Sequence, residues 1–168
     1  SQKYIPFSEY SGTLVEVVKT LRNEVDFLNC TRFGVRKVNQ CIIKDIHSLD
    51  RYFNIKFFPI YGLDRGSSPK LFESRDCFLD GKYNVNLMRT IIKGEYEDNI
   101  AYQVVLDSDI YITQDDDINR LFTGNTEITA MNERLFELYK EALTEDFIEK
   151  LGKENFNDSN IIGVEKNE

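Results

Sequence analysis

The stretch that most constrains this chain is residues 31–44, TRFGVRKVNQCIIK. Phe33, Val35, Cys41 and Ile43 fall on one parity, and Arg32, Gly34, Arg36, Val38 and Gln40 fall on the other. β-Branched and aromatic residues spaced by two fit a pleated strand with one buried face. Lys37 and Asn39 interrupt the apolar parity, which predicts a bulge near Lys37 or a change of face. A strand of this kind needs further strands beside it and amphipathic helices over it.

The rest of the chain can supply both. Its 168 residues are 41% hydrophobic and 30% charged, enough for one domain with a real core. A net charge of −8 argues against a protein that clamps nucleic acid by general basicity, because phosphate neutralisation supplies most of that affinity. Cys30, Cys41 and Cys77 form an odd set without CxxC spacing, which reads as reduced thiols of a cytoplasmic protein. Cys41, inside the apolar strand, reads as a small hydrophobe. No apolar run is long enough for a membrane-spanning helix, and no signal peptide is evident. The chain begins with Ser1 rather than Met, as a processed or excised piece would.

Taken in order, residues 12–28 carry Leu14, Val17, Val18, Leu21, Val25 and Leu28 at helical spacing, capped by Ser11 or Thr13. Residues 45–53 read as a short helix with Ile46, Leu49 and Phe53 inward. Residues 57–82 are punctuated by Pro59, Gly62, Gly66, Pro69 and Gly81 yet keep Phe57, Phe58, Leu71, Phe72, Phe78 and Leu79, so they pack on the domain or hide short strands. A hairpin follows, 83–92 and 100–113, joined by KGEYEDN. Its second strand places Ile100, Tyr102, Val104, Leu106, Ile110 and Ile112 on one face, and Gln103, Asp107 and Asp109 on the other. Residues 115–122 suggest a helical turn or two. Ile128, Met131, Leu135, Leu138 and Ala142 then mark a long amphipathic helix capped by Asn125 or Thr126. Thr144 caps a final turn with Phe147, Ile148 and Leu151 inward and Gly152 as its stop, and 153–168 read as a loose polar tail.

Candidate chemistry is sparse. Asp107 and Asp109 with Asp115, Asp116 and Asp117 offer oxygens to a hard cation. The stronger reading gives the last three to a helix start and the first two to arginines or solvent, so no metal or cofactor is expected. His47 is the single histidine, and nothing in the spacing pairs it with Cys30. GxSxG, HExxH and Walker-type motifs are absent, and residues 62–70 (GLDRGSSPK) read as a surface loop rather than a phosphate cradle. Arg32 and Arg36, of equal parity on one strand, need carboxylate or phosphate partners where partly covered. Pairing with Asp107 or Asp109 across the sheet is the first expectation, and an anionic ligand or partner chain is the alternative.

The run Arg32-Phe33-Gly34-Val35-Arg36-Lys37-Val38-Asn39 resembles the hallmark of a sporadically distributed family of uncharacterised prokaryotic proteins. That hallmark reads Arg, apolar, Gly, apolar, Arg, usually Tyr, apolar, Asn, and Lys37 stands in the aromatic position. A preceding helix over 7–27 and the later Leu106-Asp107-Ser108-Asp109-Ile110-Tyr111, followed by a long helix, extend the resemblance over residues 4–151. It implies that the chain corresponds to the C-terminal part of the family protein, after a further strand-and-helix unit. It implies no activity, only an association with accessory genes.

The sequence thus predicts an α+β fold: an antiparallel sheet of three to five strands with two main helices packed on one face, over residues 1–152. The functional expectation is a non-enzymatic protein-binding or assembly module of a prokaryotic accessory system, with a protein partner or self-association. The alternative is an enzyme or sensor for a phosphorylated or nucleotide-like ligand, using Arg32, Arg36, Asp107 and Asp109. Nucleic acid and membrane are not expected as partners.

Overall fold

Five strands carry the domain: β1 (Phe33–Ile43), β2 (Leu71–Asp80), β3 (Tyr83–Tyr96), β4 (Asn99–Ile112) and β5 (Ile161–Glu165). They form one antiparallel sheet in the order β2-β3-β4-β1-β5. The computed structural model describes residues 7–25, 30–96, 98–113, 118, 126–153 and 157–165. Among the described residues three helices accompany the sheet: α1 (Phe7–Glu24), α2 (Thr126–Ala142) and α3 (Glu145–Leu151). The α+β architecture is as the sequence predicted.

One parity of the central strands builds the core. Cys41 and Ile43 of β1, Val85, Leu87 and Ile91 of β3, and Val104, Leu106, Ile110 and Ile112 of β4 are all buried on the same side. The stripe Ile128, Met131, Leu135, Leu138 and Ala142 of α2 lies over them. At the other end, Ile46, Leu49, Tyr52, Phe53 and Phe58 join Phe147 of α3 in the same layer. Edge-to-face ring contacts of Tyr52 and Phe53 with Phe147, at 5.1 and 6.0 Å, fix that corner. Residues Ile46–Arg51 form a 3₁₀ turn capped by Asp45, whose side chain accepts from the His47 N–H. Thr144 caps α3 by accepting from the Phe147 N–H.

β1 departs from expectation at Lys37. Its register against β4 runs without a shift from Phe33 opposite Ile112 to Ile43 opposite Tyr102, so there is neither a bulge nor a change of face. Lys37 and Asn39 stay on the core parity. The Lys37 ammonium lies 6.0 Å from the Phe7 ring centroid, and burial lowers its pKa. Asn39 is buried. Burial pushes the Cys41 thiol up to about 12, so it packs as the hydrophobe expected of it.

α1 presents a different face from the one its periodicity suggested. Phe7, Ser11 and Val15 turn toward the sheet, whereas Tyr10, Val17, Leu21 and Val25 remain exposed. α1 starts at Phe7, earlier than expected, and this adds a Phe7–Val15 stripe that packs with Phe33 and Val35. The expected contribution of Leu28 lies outside the described residues, as do Asp115–Asp117, Gly124 and Asn125.

Two strands lie where the sequence set no bounds for one, the first inside the segment expected to pack on the domain or hide short strands. β2 occupies residues expected to be irregular and forms a hairpin with β3 through Gly81 and Lys82, with Gly81 at φ 61°. That angle at the first central residue is the type II′ geometry suited to glycine. β5 falls in the segment expected to be a loose tail. It is held by Asn160, which donates to Ser48 Oγ at 2.6 Å and accepts from the Asp45 N–H at 3.0 Å, and by Lys44 Nζ donating to the Ser159 carbonyl. β3 also runs further than predicted, to Tyr96, while β4 is shifted by one residue from the expected 100–113, and Asp98 before it adopts φ 62°.

The packing makes a direct prediction. Leu135→Ala removes a side chain 1% exposed and costs about 2–5 kcal/mol in urea unfolding. Leu21→Ala, on the outer stripe of α1, changes stability by less than about 0.5 kcal/mol. Comparable losses at both positions would restore the sheet-facing stripe that the periodicity suggested.

Candidate functional site

The other parity of the strands faces away from α1 and α2. It presents Gly34, Arg36, Val38, Gln40 and Ile42 of β1 beside Tyr111, Asp109, Asp107, Val105 and Gln103 of β4. Asn84, Asn86, Met88, Thr90 and Ile92 of β3 follow, then Leu79, Cys77, Arg75, Glu73 and Leu71 of β2. Among the described residues, no helix side chain joins a core cluster on this face.

Gly34 shapes its centre. A Cβ there would lie 2.8 Å from the Ile110 carbonyl oxygen and 2.8 Å from Tyr111 Cβ, closer than real side-chain atoms approach. A strand glycine therefore marks a close approach of β1 to β4, as its type suggests. The bare backbone also leaves a lane along the strand. Arg32 stacks its guanidinium 4.1 Å from the Tyr111 ring centroid and reaches Asp109 Oδ2 at 2.6 Å. Asp109 Oδ1 lies 3.4 Å from the missing Cβ, so a side chain at position 34 would crowd this pair as well.

Arg36 pairs diagonally. Its direct neighbour across the ladder is Asp109, yet its Nε and Nη2 donate to both oxygens of Asp107, at 2.8 and 2.5 Å. Asp107 is 7% exposed, and the fork geometry satisfies both its oxygens. The hydrogen bond to Asp107, followed by its charge, raises the Arg36 pKa from an already high value, so this cation does not titrate. Asn86 Nδ2 adds a bond to Asp109 at 3.3 Å, and Gln103 donates to Gln40 at 2.7 Å. The structure thus brings Arg32, Arg36, Asp107 and Asp109 together as two cross-strand pairs that engage one another.

Beyond the pairs lies a shallow depression of about 290 Å³ lined by Ile42, Ile92, Gly94, Tyr96, Ala101 and Gln103. Gly94 stands opposite Ala101, and the want of bulk at both positions makes the hollow. Leu71, paired with Ile92 and 62% exposed, extends its apolar rim toward β2.

The remaining candidates separate. Cys30 Sγ donates to the Arg32 carbonyl at 3.3 Å, and His47 is exposed in its turn. Among the described residues no three His, Cys, Asp or Glu side chains group as metal ligands, and no helix is long and apolar enough to cross a membrane. Residues 62–70 form a loop around a 3₁₀ turn, Leu63–Arg65, closed by the Ser67 N–H on the Gly62 carbonyl.

Sequence reasoning missed Arg89. It sits on the core parity of β3, 6% exposed, and donates to Asp76 at 2.5 Å, Ser74 Oγ at 2.8 Å and the Phe57 carbonyl at 3.0 Å. These bonds tie the irregular segment after the 3₁₀ turn to the outer hairpin, a structural task. Its one visible signal was a charge at the parity of Val85, Leu87 and Ile91. No family model, curated protein or solved structure matches this chain.

A double-mutant cycle tests the pairing. Arg36→Ala destabilises the domain in urea, and does so less in an Asp107→Ala background. Asp107→Ala in an otherwise intact chain loses less than Arg36→Ala, since the latter strands a buried carboxylate. Strictly additive effects would mean that the guanidinium contributes nothing to holding Asp107.

Proposed function

We propose that this domain is a protein-binding or assembly module whose contact surface is the open sheet face and the adjoining β2 edge. The observation that carries this reading is apolar exposure on regular strands. Leu71 is 62% exposed, Leu79 72%, Ile92 43% and Val38 40%, on a face where the β1 and β4 charges Arg32, Arg36, Asp107 and Asp109 have already found partners. Exposed apolar side chains that gather on one surface mark sites of association. The paired charges suit such a surface: an engaged guanidinium offers hydrogen bonds at its rim without an unpaired charge to desolvate. The outer stripe of α1, with Tyr10, Val17, Leu21 and Val25, is a second apolar surface on the same chain.

The alternative of a phosphorylated or nucleotide-like ligand finds less support. An anion at Arg32 or Arg36 would share the guanidinium with Asp109 or Asp107 and meet the negative charge of that carboxylate. The resemblance of residues 32–39 fits a module of an accessory system, and that association supplies context rather than chemistry.

Site-specific photo-crosslinking tests the reading. A benzophenone side chain placed at Ile92 or Leu79 of the full chain, irradiated in lysate of its own cell, gives discrete protein adducts. The same probe at Glu133, on the outer side of α2, gives none. Absence of adducts from the sheet face, or the same pattern from both surfaces, would refute the proposal.

A further inference from the structure

β2 is an edge strand of ten residues, and its chemistry points to one occupant. The hairpin turn at Gly81 and Lys82 is closed by Asp80 opposite Tyr83. In a two-residue turn the closing pair exchanges backbone hydrogen bonds, so the even-numbered residues of β2 direct their N–H and C=O groups at β3. The bond from the Lys93 N–H to the Lys70 carbonyl, at 3.0 Å, continues the same phase at the strand's far end. Leu71, Glu73, Arg75, Cys77 and Leu79 therefore direct their backbone groups outward, and no described strand lies beyond them. Long edges of this kind are usually blunted by proline, a bulge, a cover or charged side chains, and the outward charges here, Glu73 and Arg75, are of opposite sign. β2 has no proline and pairs with β3 without a register shift.

The side chains on this edge select the partner. Glu73 and Arg75 are both exposed and make no ion pair among the described residues. We propose that β2 is the interface of a symmetric dimer, pairing antiparallel with β2 of a second copy about a two-fold axis at Ser74. This deepens the assembly reading above by naming the partner and the edge. In that register Glu73 of each copy lies opposite Arg75 of the other, and Leu71 lies opposite Cys77. Every outward-directed residue from Leu71 to Cys77 then meets another outward-directed residue, as an antiparallel ladder requires. Sliding the axis to Arg75 or to Glu73 sets like charges face to face, which destabilises a cross-strand pair. Sliding it to Asp76 sets Arg75 opposite Cys77 and Glu73 opposite Leu79, leaving both charges unmatched. The axis at Ser74 is the register that neutralises both. The five-stranded sheets of the two copies would join as one continuous sheet, the isologous arrangement common in homodimers.

Sedimentation equilibrium on the full chain tests this. The wild type shows concentration-dependent dimerisation. Glu73→Arg and Arg75→Glu each weaken it by about tenfold, since one substitution creates two like-charge contacts across the axis. The double swap, Glu73→Arg with Arg75→Glu, restores it. A second measurement fixes the register: Ser74→Cys, in a Cys77→Ser background, gives a disulfide-linked dimer on mild oxidation, because non-hydrogen-bonded pairs bring Cα atoms to about 4.5 Å. A chain that stays monomeric at every concentration, single reversals without effect, or a double swap that fails to restore the dimer would each overturn the proposal. Photo-crosslinks from Ile92 to a different protein would persist in that event, so the broader assembly reading fails only by its own test.

Discussion

Val85, Ile91, Val104, Leu106, Ile110 and Ile112, each no more than 2% exposed, give one side of the sheet to the helices and the 46–58 segment. Burial of apolar area at roughly 25 cal/mol per Å² is the dominant favourable term, and here it is confined to a single layer. Everything else follows from that asymmetry. The opposite side of the same strands must solve its problem with polar chemistry or with a partner. Along β1 and β4 it does so with Arg32–Asp109 and Arg36–Asp107, and Gly34 makes the lane that the first pair needs. Toward β2 it leaves Leu71, Leu79 and Ile92 in solvent.

The parts of this fold that the sequence declared are those whose periodicity had one reading. α2 has a single apolar stripe, and all five of its residues are buried. The equal parity of Arg32 with Arg36 and of Asp107 with Asp109 was enough to anticipate cross-strand pairing, because two strands of one sheet share their faces. The diagonal choice of partner was beyond it: register puts Asp109 opposite Arg36, and only side-chain reach sends Arg36 to Asp107. α1 misled because its turns carry two apolar stripes, and periodicity does not say which one meets the sheet. β2 escaped because both of its sides are largely exposed, so LFESRDCFLD carries no alternation to read. β5 escaped because it is five residues long, too short for a period to show, and its pairing with β1 is reinforced by hydrogen bonds of Asn160 and Lys44. Lys37 and Asn39 read as a fault in β1 only if every residue of a core parity must be apolar. A lysine resting beside an aromatic ring can lie there without bending the strand.

The functional reading grows out of the same asymmetry. A face whose β1 and β4 charges are paired, with a shallow apolar hollow and an edge that has neither proline nor bulge, is suited to being covered by protein. The edge is the more specific feature, since backbone groups set its direction and the Glu73 and Arg75 charges set its register. The hollow between Ile42, Ile92 and Ala101 spans β3, β4 and β1 on the face of the sheet, so a second partner could occupy it while the outer edge of β2 is engaged.

The central claim is the one-sided sheet with β4 at its middle and β2 at a free edge. Native-state hydrogen exchange, resolved amide by amide on a sample dilute enough to be monomeric, reads it most directly. The account predicts slow exchange at successive amides throughout β4, from Tyr102 to Ile110, because a strand lies on each side. It predicts alternation in β2, with Phe72, Ser74, Asp76 and Phe78 protected and Glu73, Arg75 and Cys77 exchanging fast. Fast exchange along β4, or uniform protection along β2 in the monomer, would contradict it.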